Sequence, residues 1–139
     1  HLIIYSEGYY PEKIKLNNTD SYIINMTKLD QKYILEDLLF DYDSYKLTES
    51  VKNFLFLYAQ WLKQNDEINI RIEGHTDSVG SDNYNMTLSE NRANEVLNFF
   101  VSEGITKNRM KAIGFGNKIP VSEGYDGPKN RRIEITVFW

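Results

Sequence analysis

Apolar residues at positions 51, 54, 55, 58, 61 and 62 recur at the spacing of one helix face. They predict a helix over TESVKNFLFLYAQWLKQN (48–65), with Thr48 as its N-cap. EINIRIEG (67–74) then sets Ile68, Ile70 and Ile72 against charged neighbours, the period of a strand with one buried face. LSENRANEVLNFFVSEG (88–104) returns to the helical period, with Ser89 as N-cap and Gly104 as the stop. MKAIGFG (110–116) is a short strand, and RRIEITVFW (131–139) alternates Ile133, Ile135, Val137 and Trp139 as the last one. LLFDYD (38–43) supplies the strand before the first helix. The order β-α-β-α-β-β predicts an α/β (α+β) sandwich, a mixed sheet with both helices on one face. Residues 1–35 follow another pattern: LIIY, EKIKL and SYIINMTKL are short strand-like runs separated by the turn-forming SEGYYP and NNTD. So little strand cannot make an independent β-sandwich. It predicts a β-rich extension, or the end of an upstream β domain, over 1–35, ahead of a main domain over 36–139.

One stretch breaks the pattern. EGHTDSVGSDNYN (73–85) leaves the end of a strand and enters a helix, yet it is longer and richer in hydrogen-bonding groups than a plain connection of two to six residues requires. In open α/β sheets, ligands sit at that end of the strands. Stepping about 100° per residue along the following helix, Ala93, Val96, Leu97, Phe99, Phe100 and Val101 form an apolar arc, and Arg92 falls inside it. A guanidinium keeps its proton and needs an anion or water there. Placed in the first turn of a helix from 88, Arg92 would share an incoming carboxylate with the free amides of that turn. With Asp77 in the preceding loop and Asn85 between them, the arrangement suits a zwitterion, its ammonium at Asp77 and its carboxylate at Arg92. Two internal alternatives stay open: Asp77 as a turn residue bonding its own backbone, and Arg92 paired with Asp77 or Asp82.

Composition narrows the field. The chain has 139 residues, 41% hydrophobic and 26% charged, as an ordinary globular domain does. A net charge of −4 gives no field that favours nucleic acid. Lys107, Arg109, Lys111, Lys118, Lys129, Arg131 and Arg132 crowd the C-terminal half among turns, which reads as a solvated surface. Absence of cysteine excludes disulfides and thiol chemistry. The apolar stretch 51–62 is broken by Lys52, Asn53 and Gln60 and cannot span a bilayer. HLIIYSEGYY has neither the basic start nor the apolar core of a signal peptide, and an opening His without Met suggests a piece of a longer chain. His75 has only Asp77 and Asp82 nearby as further metal ligands, so no metal is expected. No serine sits in a G-x-S-x-G elbow, and GFGNKIPVSEG has no helix after it, which points away from hydrolysis and from a nucleotide or other cofactor.

FDYDSYKL (40–47), IEGHTDSVGSDNYNMTLSENRANEVLNFFVSEGI (72–105), GFGNKIPV (114–121) and NRRIEI (130–135) together resemble the OmpA C-terminal-like (OmpA/Pal/MotB) domain. That resemblance implies a non-catalytic periplasmic module. It would bind the peptidoglycan stem peptide non-covalently at meso-diaminopimelate and anchor an outer-membrane-associated protein to the wall. The family's Asp in G-H-T-D falls on Asp77, and its Arg in L-S-x-x-R-A falls on Arg92. Lesser contacts fall on Tyr42, Asp43, Val79 and Asn85; at 79 a small polar residue is also common, and Val offers no side-chain hydrogen bond. Rival readings are a protein–protein module of the same fold and a hydrolase of cell-wall peptides. SEGYYPEKIKL is similar to the closing strands of a carboxypeptidase-regulatory-like β domain. That domain precedes such modules in Bacteroidetes envelope proteins, including a type IX secretion component, and so implies outer-membrane or secretion-complex partners for the rest of the chain.

Overall fold

A computed structural model of the chain describes residues 2–4, 12–14, 33–36, 40 and 44–138. Strands β1 (Leu2–Ile4) and β2 (Glu12–Ile14) pair antiparallel as a two-stranded sheet, within the runs LIIY and EKIKL. The main body runs β3 (Tyr33–Glu36), α1 (Glu49–Gln64), β4 (Asn69–His75), α2 (Asp82–Ser102), β5 (Met110–Gly114) and β6 (Arg132–Phe138). Its four strands lie in the order β3-β6-β4-β5. β6 is antiparallel to β3 and β4, and β4 is parallel to β5 through the α2 crossover. This is the expected mixed sheet of an α+β sandwich.

Alternation along the strands decides which face the helices cover. Ile70 and Ile72 stand opposite Val137 and Ile135 in register and are fully buried. Against that face α1 packs Leu55, Tyr58, Ala59, Trp61 and Leu62, and α2 packs Ala93, Val96, Leu97 and Phe100. Rings tie the layers together: Tyr33 of β3 stacks on Phe54 of α1 at 4.8 Å, and Tyr58 meets Phe100 of α2 at 5.7 Å. Among the described residues no helix is long and apolar enough to cross a membrane.

Two glycines let α2 come down onto the sheet backbone. A Cβ at Gly74 would overlap the Ser89 carbonyl oxygen and stand 2.9 Å from its carbon. A Cβ at Gly114 would lie 2.6 Å from Ser89 Oγ. In the gap so kept, Ser89 Oγ donates to Met86 O at 2.8 Å and accepts from Gly116 N at 2.9 Å, joining helix to strand-end loop.

Three expectations change. α2 begins at Asp82, capped by Ser81, whose Oγ accepts from Tyr84 N at 3.2 Å, so Ser89 is no N-cap. The inward stripe of α2 runs 85, 89, 93, 96, 97 and 100, but its first two members are Asn85 and Ser89, so no apolar period marks those turns. Thr48 does occupy the N-cap position of α1, without a side-chain capping bond. Finally, the strand before α1 is Tyr33–Glu36; Phe40 makes an isolated bridge to Leu47, and the rest of 38–43, like SYIINMTKL, lies outside the described residues.

Gly74→Ala should therefore cost at least about 3 kcal/mol, the upper end of overpacking penalties, because the obstacle is backbone rather than a side chain that can rotate. Urea unfolding checks this; a midpoint within error of the parent would show that α2 can lift without cost.

Candidate functional site

The loop after β4 is built around Asp77. Thr76 N donates to Gly116 O at 2.9 Å, which holds the exit of β4 beside the exit of β5. Asp77 Oδ1 accepts from Val79 N at 3.1 Å, the turn bond that aspartate makes with the backbone two residues on. Its Oδ2 accepts from Arg131 Nη1 at 2.7 Å. The Asp77 side chain is 13% exposed and that of Arg131 37%. Gly80 turns the chain with φ +97°, a conformation glycine takes without strain, and delivers Ser81 to the N-cap of α2. Both oxygens of Asp77 are thus fixed before the loop enters the helix.

A second loop, 115–131, forms the other wall. Ser78 N donates to Asp126 Oδ1 at 3.1 Å, and Ser78 Oγ makes a very short bond to Asp126 Oδ2. Asn117 Nδ2 donates to Asp82 Oδ1 at 3.2 Å. Within the loop, the buried Asn130 accepts from Val121 N at 2.8 Å and donates to Tyr125 O at 3.0 Å, so one amide fixes the curve of the chain. Arg131 follows directly, its own N–H on Pro128 O at 3.0 Å.

Arg92 lies well inside α2, which begins at Asp82, so the expectation that it shares the free amides of the first turn is overturned. Its Nε donates to Ser44 O at 3.1 Å, and its guanidinium carbon stands 4.9 Å from the centroid of the Phe40 ring. A stacked, hydrogen-bonded guanidinium has its plane set in advance. Asn85 is 1% exposed, and its Nδ2 meets no acceptor among the described residues. Val79 is 75% exposed beside Asp77. Tyr42 and Asp43 lie outside the described residues; the backbone oxygen of their chain neighbour Ser44 accepts from Arg92.

The solvated-surface reading of the basic residues holds for the four lysines and fails for three arginines. Arg131 neutralises Asp77. Arg109 donates to Leu62 O, Asn65 O and Ile68 O at 2.7–3.0 Å, tying together carbonyls of the last turn of α1 and of the connection into β4. Arg132 is buried on the sheet face away from the helices, with Nε on Glu134 Oε1 at 2.9 Å. His75 belongs to the same face rather than with Asp77 and Asp82. Glu73, His75 and Glu134 each bring a ligand atom to within 4.8 Å of the others. Each carboxylate there already carries a guanidinium, Arg71 on Glu73 at 2.5 Å and Arg132 on Glu134, so the cluster is a charge-balanced network in which two arginines oppose a further cation. Arg71–Glu73 and Arg132–Glu134 lie two apart on one strand each, the spacing of same-face neighbours, whereas the Asp77–Arg131 pair and the Arg109 bonds join residues far apart in the chain and have no signal in its order.

A family model described as OmpA family matches residues 39–134. Outer membrane porin F of Pseudomonas aeruginosa is 39% identical over 105 residues, which is 73% of this chain and 30% of that protein. The peptidoglycan-associated lipoprotein of Brucella melitensis is 38% identical over 85 residues, 61% of this chain and 51% of the relative. The chain thus spans about a third of the first and half of the second. Among solved structures, the peptidoglycan-associated lipoprotein from Burkholderia pseudomallei superposes with a TM-score of 0.67 at 31% identity, covering 75% of this chain and 91% of that one. The periplasmic domain of Helicobacter pylori MotB superposes at 0.66 with 21% identity, covering 76% of this chain and 80% of that one, a likeness of fold.

The two Ser78 donors stabilise the charged form of Asp126 and hold its carboxyl below the ordinary value of 3.8. A carboxyl depressed in the folded state contributes to loop closure above that value and loses the contribution as pH falls through and below it. Asp126→Asn should remove this acid-sensitive step and speed amide hydrogen exchange across 117–131 at neutral pH. Exchange equal to the parent's would show that Asn117 and Arg131 hold the loop without it.

Proposed function

The chain belongs to the OmpA family, whose Pal- and MotB-like domains bind peptidoglycan generally, and from that premise we propose that it grips the wall non-covalently at the meso-diaminopimelate of the stem peptide. The observation that carries the proposal is the preset carboxylate of Asp77, both oxygens fixed at the mouth between two loops, in the same domain as a guanidinium whose plane is set by Ser44 and Phe40. A diaminopimelate side chain ends in an ammonium and a carboxylate on one carbon. The ammonium goes to Asp77 and the carboxylate to Arg92. Exposed Val79 offers apolar surface for the intervening methylenes. Asn85, Tyr42 and Asp43 complete the contact set.

Such binding needs no bond made or broken. The residues of the site orient and neutralise a charged group, and their hydrogen bonds replace its water. Relatives of the outer-membrane porin and peptidoglycan-associated lipoprotein type are envelope proteins. In that setting the domain would stand in the periplasm and link an outer-membrane-associated protein to the wall. The rest of the parent protein would supply any outer-membrane or secretion-complex partner.

Calorimetry with a diaminopimelate-containing muropeptide tests the reading. Asp77→Ala and Arg92→Ala should each lose roughly 2–5 kcal/mol of binding, about 30-fold to several thousand-fold in affinity, with native circular dichroism. A lysine-type stem, which lacks the second carboxylate, should bind at least about tenfold more weakly, since a charged donor then goes unmatched. Parent affinity in both folded variants would remove the assignment.

A further inference from the structure

Phe40 has no part in the contact set above, yet it bears on the guanidinium at the centre of that set. It pairs with Leu47 in an antiparallel bridge that closes residues 40–47 into a turn. Leu47 is buried in the core, and Phe40 packs against the same core, so the turn is anchored at both ends. From this one turn come two contacts to Arg92. The Phe40 ring lies under the guanidinium carbon, 4.9 Å from ring centroid to Cζ, and the Ser44 carbonyl accepts from Nε at 3.1 Å. Arg92 starts from a fixed base, since its neighbour Ala93 is fully buried in the core. Neither contact from the turn is a hydrogen bond to Nη1 or Nη2, the nitrogens whose edge pairs with a carboxylate.

Resting on the peptide-binding reading, we propose that Phe40 is a positioning residue: its ring holds the Arg92 guanidinium, before any ligand arrives, in the place where it meets the ligand's side-chain carboxylate. Phe40 acts through Arg92 and touches no ligand atom. The negative face of the ring attracts the cation, and Ser44 limits rotation at Nε. An arginine side chain otherwise carries a large rotamer entropy, and ordering it is one of the costs of association. Here that cost is met in the folding of the free domain. The benefit reaches only a ligand that uses Arg92. A diaminopimelate stem brings a carboxylate there. A lysine-type stem brings none, and the order of Arg92 is indifferent to it. Phe40 therefore raises the preference between stems rather than affinity in general.

Phe40→Leu keeps an apolar side chain against the core and removes the aromatic face. Calorimetry with the two tripeptide stems should show the diaminopimelate stem bound about two- to tenfold more weakly, the scale of ordering one long side chain, and the lysine-type stem unchanged. A fluorinated phenylalanine at position 40 keeps the ring's shape and drains its negative face. It should weaken the diaminopimelate stem alone, and it decides the matter if leucine upsets the turn. Equal weakening of both stems would overturn the proposal in favour of simple loop support, and parent affinity for both would overturn it as well. The free domain offers a test without peptide. The Arg92 Nε–H resonance should be slowed in exchange and displaced by the Phe40 ring in the parent, and should move in Phe40→Leu; a resonance that stays put would overturn the contact itself. Failure of the parent to bind the diaminopimelate stem would sink the peptide-binding reading, whatever the resonance shows.

Discussion

Backbone-to-backbone contact between α2 and the paired strands β4 and β5 is the constraint on which the site rests. With hydrogen alone at Gly74 and Gly114, the helix sits low enough for Ser89 to bridge Met86 and Gly116. That depth fixes the distance from sheet to helix axis. It places the loop carrying Asp77 at one end of the contact and sets the face of α2 from which Arg92 reaches Ser44 and Phe40. A side chain at either glycine would lift the helix and separate the loops that must face each other. The polar start of the α2 stripe follows from the same geometry. Asn85 and Ser89 lie where the sheet runs out and loop backbone must be satisfied, and the apolar members from Ala93 onward lie over the sheet itself.

Charge is arranged in two separate systems. On the sheet face away from the helices, Arg132–Glu134 and Arg71–Glu73 sit with His75 in a network whose members other than Arg71 are buried. Each pair joins residues two apart on one strand, and the buried Arg132–Glu134 pair is of the kind that brings little net stability but is costly to break singly. At the strand ends, by contrast, Asp77 and Arg131 form a pair that is only partly buried, on loops tied together by Ser78 and Asp126.

Much of this could be read from the sequence. Ile68, Ile70 and Ile72 announce the central strand, the 51–62 period announces α1, and GHTD followed by LSENRA carries the family and with it Asp77 and Arg92. What stayed hidden has a common cause. The beginning of α2 is invisible to a search for apolar periods because its inward residues are polar. Arg131 meets Asp77 across 54 residues of sequence, and Arg109 finds the end of α1 across more than forty. Lone arginines among turns look alike on paper, and only the closure of the 115–131 loop and the packing of β5 separate them from solvated lysines. The misplaced helix start also carried an error into the chemistry, since it put Arg92 beside first-turn amides that belong to Asp82–Tyr84.

The central claim is that a zwitterion lies with its ammonium on Asp77 and its carboxylate on Arg92. A crystal structure of the domain with a diaminopimelate-containing tripeptide stem tests it most directly. The account predicts the ligand's side-chain ammonium within hydrogen-bonding distance of the Asp77 carboxylate and its carboxylate on the Arg92 guanidinium. A peptide seated away from Asp77 and Arg92 would contradict it.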